Sequence, residues 1–171
     1  FAARCEAIGL CFLGPSSALL RRMGDKVEAR RTMSSLGVEV IPGSDLLAGV
    51  AEAKTVAEEI GYPVLLKAVS GGGGRGMRQV DAPEGLQAAW DEASGEARGS
   101  FGDDRLYMEK FIERGRHIEF QVLGDRQGRI WQLGERECSM QRRHQKLVEE
   151  SPSCVVDDAL RTRVGDRPSR P

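Results

Sequence analysis

Aromatic residues and histidine are scarce in this chain, and long apolar runs are missing from it. Aromatics make up 5% of the 171 residues, and there are two histidines. No segment approaches the ~20 apolar residues that a membrane-spanning helix requires. The formal net charge of -1 gives no indication of a nucleic acid partner or a membrane surface. With 21 glycines, the composition is typical of a loop-rich α/β enzyme.

The cysteines and histidines lack the spacing of a metal or disulfide site. No Cys-x-x-Cys pair occurs among Cys5, Cys11, Cys138 and Cys154. The histidines His117 and His144 have no cysteine or carboxylate at metal-ligand spacing, so we predict no metal site in this chain. Reduced thiols are therefore expected, in the cytoplasm or, for a eukaryotic source, the mitochondrial matrix. The opening Phe1-Ala-Ala-Arg lacks an initiating Met and a signal-peptide pattern, which suggests a fragment.

The most informative stretch lies between Val64 and Met77. An apolar run ends in Lys67, four consecutive glycines follow from Gly71, and Arg75 and Gly76 lead into a second apolar segment. Glycine N–H groups can approach a ligand closely and form an anion cradle, and the two flanking cations would add to its field. We interpret this glycine segment (71–76) as part of a strand–loop–strand flap over nucleotide phosphates.

Other interpretations of the glycine segment have to be weighed against this one. A run of glycines is often a flexible linker. No Gly-Lys-Ser/Thr follows, so the segment is not a P-loop. A strand rather than a helix is expected next, which also argues against a dinucleotide-binding fingerprint.

Capping residues, glycines and prolines divide the rest of the chain into elements. We predict helices up to residue 8, after Ser16 or Ser17, from Lys26 to about Leu36, over 47–60, from Pro83 and over 159–164. Strands are predicted over 10–13, 38–41, 64–67, 106–110, 117–123 and 129–133. Gly99 to Asp104 is expected to form a turn, and Ile118, Phe120 and Val122 to share one face of a strand.

Four further strings accompany the Gly71–Met77 stretch. They are Met23-Gly-Asp-Lys26, Met108-Glu-Lys110, Arg116-His-Ile-Glu119 and Cys138-Ser-Met-Gln-Arg-Arg-His-Gln-Lys146. Together they closely resemble the biotin carboxylase component of biotin-dependent acyl-CoA or pyruvate carboxylases, in the ATP-grasp superfamily. The resemblance extends from residue 1 to about 164, and the last string is the most specific.

The resemblance implies a fold of α/β to α+β class, an ATP-grasp fold. Residues 1–41 would be the C-terminal end of an N-terminal α/β domain (preATP-grasp), which is only partly present. Residues 42–111 would form a complete central lid subdomain. Residues 112–171 would begin the second ATP-grasp subdomain and be truncated.

The resemblance also implies a reaction, the ATP-dependent carboxylation of biotin on a carrier protein, with bicarbonate as substrate and carboxyphosphate as intermediate. ATP, Mg²⁺, biotin and bicarbonate are the expected small molecules. A biotin carrier, a carboxyltransferase and a homo-oligomeric full-length protein are the expected partners, with no nucleic acid and no membrane.

Residue by residue, the match assigns roles to this sequence. Lys146 would lie near bicarbonate or carboxyphosphate as the catalytic residue. The nucleotide would contact Lys26, Lys67, Gly71, Gly72, Gly73, Gly74, Arg75, Gly76, Met77, Glu109, Lys110, Phe111, Ile112, His117, Gln141 and His144. Of these, the segment 109–112 would meet the adenine edge, largely through backbone groups.

The family's Mg²⁺ carboxylates, bicarbonate and biotin arginines and general base lie downstream of residue 171, and the sequence after Arg163 drifts from the pattern. We therefore expect this chain to be inactive on its own. Two alternatives remain: another ATP-grasp carboxylate ligase, which the string from Gln141 to Lys146 argues against, and a non-catalytic nucleotide-binding module.

Overall fold

The computed structural model describes residues 1–71, 75–142 and 145–165, and these residues divide into two compact units, 1–111 and 112–171. The helices are α1 Ala2–Ala7, α2 Ser17–Gly24, α3 Lys26–Ser35, α4 Val50–Ile60, α5 Leu86–Phe101 and α6 Asp158–Gly165. The strands are β1 Val64–Ala68, β2 Met77–Val80, β3 Leu106–Lys110, β4 Ile118–Gly124, β5 Ile130–Glu137, β6 Gln141–Arg142 and β7 Gln145–Lys146. None of these helices, in the part of the chain that is described, is both long and apolar enough to span a bilayer.

The first unit is built on a three-stranded antiparallel sheet in the order β2-β1-β3. The central strand β1 alternates buried and half-buried residues, which is the pattern of a strand covered on one face. Lys67 lies opposite Met77 on β2 and opposite Tyr107 on β3. The two strands predicted to flank the glycine segment are therefore present and paired with each other.

Helices α4 and α5 cover the sheet and form its apolar core. Leu66, Ala53 and Leu86 are fully buried in one cluster, and Trp90 of α5 is half-buried between this cluster and a second one around Leu106. The helix α5 continues to Phe101, beyond the start of the predicted turn at Gly99. Gly102, which adopts a left-handed φ of +69°, caps its C-terminal end.

The N-terminal part of the first unit confirms the predicted helices but not the predicted strands. Ser16 Oγ accepts a hydrogen bond from Leu19 N at the start of α2, and Asp25 caps α3 through Val27 N and Glu28 N. Residues 10–13 and 38–41 form no strand in the described structure, and Leu13 is 93% exposed. A strand depends on a hydrogen-bonded neighbour, which a short apolar pattern cannot supply on its own.

The second unit contains two antiparallel pairs, β4–β5 and β6–β7, followed by α6. The predicted apolar face of β4 is only partly correct. Ile118 and Phe120 are half-buried, but Val122 is 59% exposed. The register shifts between Phe120 and Val122, and this bulge interrupts the expected alternation of faces.

Candidate functional site

Lys67 is held by a carboxylate from the neighbouring strand. Its Nζ lies 2.5 Å from Glu109 Oε2 of β3, and both side chains are largely shielded from water. The same Nζ is 5.9 Å from the centre of the Tyr107 ring, close enough for a cation–π contact. Burial raises the pKa of the Tyr107 hydroxyl beside this pair. The ammonium therefore has a defined position near the end of β1, the strand that leads to the glycine segment.

A second lysine reaches the same end of the glycine segment from α3. The Asp25 cap places Lys26 at the first position of that helix. Lys26 Nζ donates to Gly71 O and lies 3.5 Å from Val69 O. Lys26 thus contacts the first residue of the glycine segment, and Lys67 lies on the strand that leads to this segment.

The exit of the segment is tied to α5. Gly76 is buried, adopts a φ of +68°, and its carbonyl accepts from Ala68 N at 2.8 Å. Its N–H donates to Glu96 Oε2 at 3.0 Å, and the same oxygen accepts from Arg78 Nη1 at 2.9 Å. An added Cβ at Gly76 would come within 2.7 Å of Ala68 Cβ, so this position requires glycine. Arg75 is exposed beside it, and Met77 begins β2.

Two backbone amides of the segment predicted to meet adenine already donate hydrogen bonds within the chain. The amide of Lys110 donates to Pro42 O at 2.7 Å, and that of Phe111 donates to Pro63 O at 3.1 Å. The Lys110 ammonium binds two carbonyls at the end of α4, those of Gly61 and Tyr62, each at 2.8 Å. Ile112 belongs to the second unit and is 51% exposed.

In the second unit, two pairs of polar side chains lie along β4 and the β6–β7 hairpin. Gln141 Nε2 lies 2.8 Å from His117 Nδ1 and donates to Cys138 O at 2.9 Å. Lys146, directly opposite Gln141 across the hairpin, forms an ion pair with Glu119. His117 and Glu119 are two residues apart, so they share one face, and so do their partners.

Glu119 is the electrostatic centre of this group. It also accepts from Arg136 Nη2 at 2.6 Å. Hydrogen bonds from Lys146, and then from Arg136, lower the pKa of Glu119 to about 2. The same contact raises the pKa of Lys146. The lysine predicted to be catalytic is therefore a fixed cation, suited to stabilising negative charge and unsuited to proton transfer near neutral pH.

One group of side chains comes near metal-binding geometry. Ligand atoms of Glu119, Cys138 and Glu149 lie within 4.8 Å of one another. This group does not fit Mg²⁺, which prefers oxygen ligands in octahedral geometry. Burial raises the pKa of the Cys138 thiol, and both carboxylates have contacts to Lys146 and Arg136. This group of side chains is therefore not a candidate Mg²⁺ site.

The structure leaves some predicted residues untested and adds others. Gly72, Gly73, Gly74 and His144 lie outside the described residues. The sequence interpretation did not assign Glu96, which contacts the end of the glycine segment, or Glu119, which contacts Lys146. The alternation from His117 to Glu119 was the signal for the second; for Glu96, 20 residues from Gly76, we find no comparable signal.

Comparison with known proteins places this geometry in a family. The family model described as the carbamoyl-phosphate synthase L chain, ATP binding domain, matches residues 25–169. Biotin carboxylase 2 of Bacillus subtilis is 48% identical over 96% of this chain and 37% of its own length. The chloroplastic biotin carboxylase of Arabidopsis thaliana is 49% identical over 97% of the chain and 31% of its own. The chain thus spans about a third of these relatives.

Solved structures show the same similarity. A biotin carboxylase–β,γ-ATP complex from Campylobacter jejuni has a TM-score of 0.92 and 51% identity, over 96% of this chain and 37% of that one. The biotin carboxylase domain dimer of the Hydrogenobacter thermophilus 2-oxoglutarate carboxylase, in complex with MgADP, ADP and bicarbonate, has a TM-score of 0.91 and 49% identity, over 96% of this chain and 37% of that one. The chain therefore belongs to the carbamoyl-phosphate synthase L chain ATP-binding domain family and corresponds to the ATP-binding region of the biotin carboxylases within it.

Proposed function

We propose that this chain is the nucleotide-binding part of a biotin carboxylase, which uses ATP and bicarbonate to carboxylate biotin on a carrier protein through carboxyphosphate. The observation that carries the proposal is that Lys26 bonds to Gly71 O at the entry of the glycine segment, while Lys67, on the strand that leads to this segment, is held in place by Glu109. Two fixed cations beside glycine N–H groups are suited to bind a polyphosphate. The biotin carboxylase structures in complex with nucleotides support the same assignment.

Within this proposal the described residues have separate tasks. Lys26, Lys67, Gly71, Arg75, Gly76 and Met77 bind or border the phosphates. Residues 109–112 meet the adenine edge; because the amides of Lys110 and Phe111 are already bonded, other backbone groups there make the contact. His117 and Gln141 lie around the nucleotide.

Lys146 acts as the charge that stabilises bicarbonate or carboxyphosphate, and Glu119 holds its ammonium in place. Mg²⁺ would bridge the nucleotide phosphates when bound. Biotin, its carrier protein and a carboxyltransferase complete the proposed system. It would work in the cytoplasm or, for a eukaryotic source, in the mitochondrial matrix.

The phosphate assignment is tested by ATP binding to the chain, measured by titration calorimetry. We expect a Kd near the millimolar end of the affinity scale, roughly 1 mM. Replacing Lys67 with Gln removes a charge-assisted contact worth roughly 1.5–3 kcal/mol, so affinity should fall about tenfold or more. Lys54→Gln, at an exposed position on α4, is the matched control and should bind as the unaltered chain does. Equal affinities of the Lys67 and Lys54 variants would contradict the assignment.

The reaction is tested in a chimera, in which this chain replaces the matching segment of the Campylobacter jejuni biotin carboxylase, 51% identical to it. We expect bicarbonate-stimulated phosphate release from ATP, reduced roughly tenfold or more by Lys146→Gln because a fixed cation is lost from the transferring group. Lys54→Gln again serves as control. A chimera that binds ATP but releases phosphate independently of bicarbonate would favour another ATP-grasp ligase.

A further inference from the structure

The helix α5 presents a carboxylate to the exit of the glycine segment. Glu96 Oε2 accepts from Gly76 N at 3.0 Å and from Arg78 Nη1 at 2.9 Å. These two donors bracket Met77, the first residue of β2. One carboxylate oxygen of α5 thus binds both the last residue of the glycine segment, Gly76, and a side chain of the following strand, that of Arg78.

The backbone at Gly76 has little freedom besides this contact. Its carbonyl is bonded to Ala68 N of β1, its φ is +68°, and Ala68 lies where a side chain would be. Ala68 directly follows Lys67 on β1. Any change in the backbone at Gly76 therefore moves the peptide that neighbours the phosphate-binding lysine.

We propose that Glu96 is a positioning residue for the nucleotide site, which fixes the exit of the glycine segment by holding the Gly76 amide against α5. The proposal rests on the proposed nucleotide-binding function. Glu96 does not touch the nucleotide; it acts through Gly76 and β1. The hydrogen bond from Gly76 is also the largest cause of the lowered pKa of Glu96.

The neighbouring Glu92 provides a matched control. Its Oε2 accepts from Nε of the same Arg78 at 2.8 Å, and among the residues described that arginine is its sole hydrogen-bond partner. Glu92→Ala and Glu96→Ala each remove one carboxylate from α5 and one ion pair from Arg78. They differ in that the Glu96 variant also releases the Gly76 amide.

The experiment measures hydrogen exchange at the Gly76 amide by NMR and ATP affinity by titration, in the 171-residue chain. For Glu96→Ala we expect roughly tenfold faster exchange and about threefold to tenfold weaker binding, because a charge-assisted hydrogen bond is lost. Glu96→Gln keeps an acceptor oxygen and should recover most of both losses. Glu92→Ala should stay within about twofold of the unaltered chain.

Several results would overturn the proposal. Unchanged exchange at Gly76 in Glu96→Ala would show that the contact does not hold the amide. Faster exchange with unchanged ATP affinity would reduce Glu96 to a structural anchor, and equal losses in Glu92→Ala would assign the effect to Arg78. If the unaltered chain bound no ATP, the proposed function itself would fail, and the positioning role with it. The exchange measurement distinguishes the two failures, because it needs no nucleotide.

Discussion

The two units of this chain differ in what they bury. In the first unit the core is mainly aliphatic, with Leu66, Leu86 and Val64 fully enclosed between a sheet and two helices. In the second unit the buried set includes two carboxylates, Glu135 and Glu137, while apolar side chains on β4 and β5 are exposed.

The buried carboxylates of the second unit have assigned partners. Glu135 accepts from Arg161 Nη2 of α6 at 2.8 Å, and Glu137 accepts from Arg116 Nη1 at 2.6 Å and Ser153 Oγ at 2.8 Å. Burying an ion pair favours specific pairing but costs the free energy of desolvating two charges. Burying aliphatic side chains, in contrast, stabilises the fold directly. The second unit should therefore be the more tolerant of lost methylene groups at its exposed apolar positions, whereas acid sensitivity is expected of both units, because the pKa of Asp103 in the first unit is lowered as well.

The largest effect is expected from a cavity in the first unit. Leu66→Ala should lower the free energy of unfolding by about 2–5 kcal/mol, because Leu66 is fully buried in the core cluster. The measurement is denaturant unfolding followed by the fluorescence of Trp90, which packs on this cluster. Leu36→Ala, at a position 67% exposed, is the control and should cost less than about 0.5 kcal/mol. Similar losses in the two variants would mean that the core is assigned wrongly.

A smaller effect is expected from the ion pair in the second unit. Glu135→Gln keeps the shape of the side chain but removes the buried carboxylate that pairs with Arg161. The helix α6 should therefore detach more easily from β5. Faster hydrogen exchange in α6, with unchanged exchange in α4, would be the signature. The control is Asp158→Asn, which removes the fully exposed partner of the same arginine. If Asp158→Asn had the larger effect, the buried pair would not be what holds the helix.

The smallest effect is the acid sensitivity that the paired carboxylates give to the second unit. The pKa values of Glu119 and Glu135 are lowered from 4.5 to about 2. A lowered pKa adds stability that is fully present above the unfolded value and lost as pH falls. The second unit should therefore loosen between pH ~4.5 and ~2, and Glu119→Gln should remove part of this dependence. The readout is circular dichroism with the fluorescence of Trp131; a flat profile over that range would contradict these shifts.

The sequence predicted the locally determined parts of the fold best. The start of α3 was predictable because the Asp25 side chain caps amides two and three residues away. The strands expected over 10–13 and 38–41 were wrong because no local pattern specifies a pairing partner. The exposure of Val122 follows from a bulge, which the alternation of residues could not reveal.

The residues of the candidate site also differ in how far the sequence alone could predict them. Lys67 could be singled out because it ends the apolar run that precedes the four glycines. Its partner Glu109 is 42 residues away, and the contact follows from the register of β1 with β3. The Lys146–Glu119 contact spans 27 residues and likewise depends on tertiary arrangement. The lysines and Glu109 stood among the residues predicted for the site, but the pairing of each lysine with its carboxylate could not be predicted, because it depends on tertiary arrangement.

The contact between Lys26 and Gly71 has a consequence for folding kinetics. It joins residues 45 apart, so loop closure must precede it. The β1–β2 hairpin and α3 can form from local contacts, but the lysine meets the glycine segment only after α3 docks. During refolding, the recovery of nucleotide affinity should therefore lag behind the recovery of helix and sheet. The proposed polyphosphate site would be among the last features of the first unit to assemble.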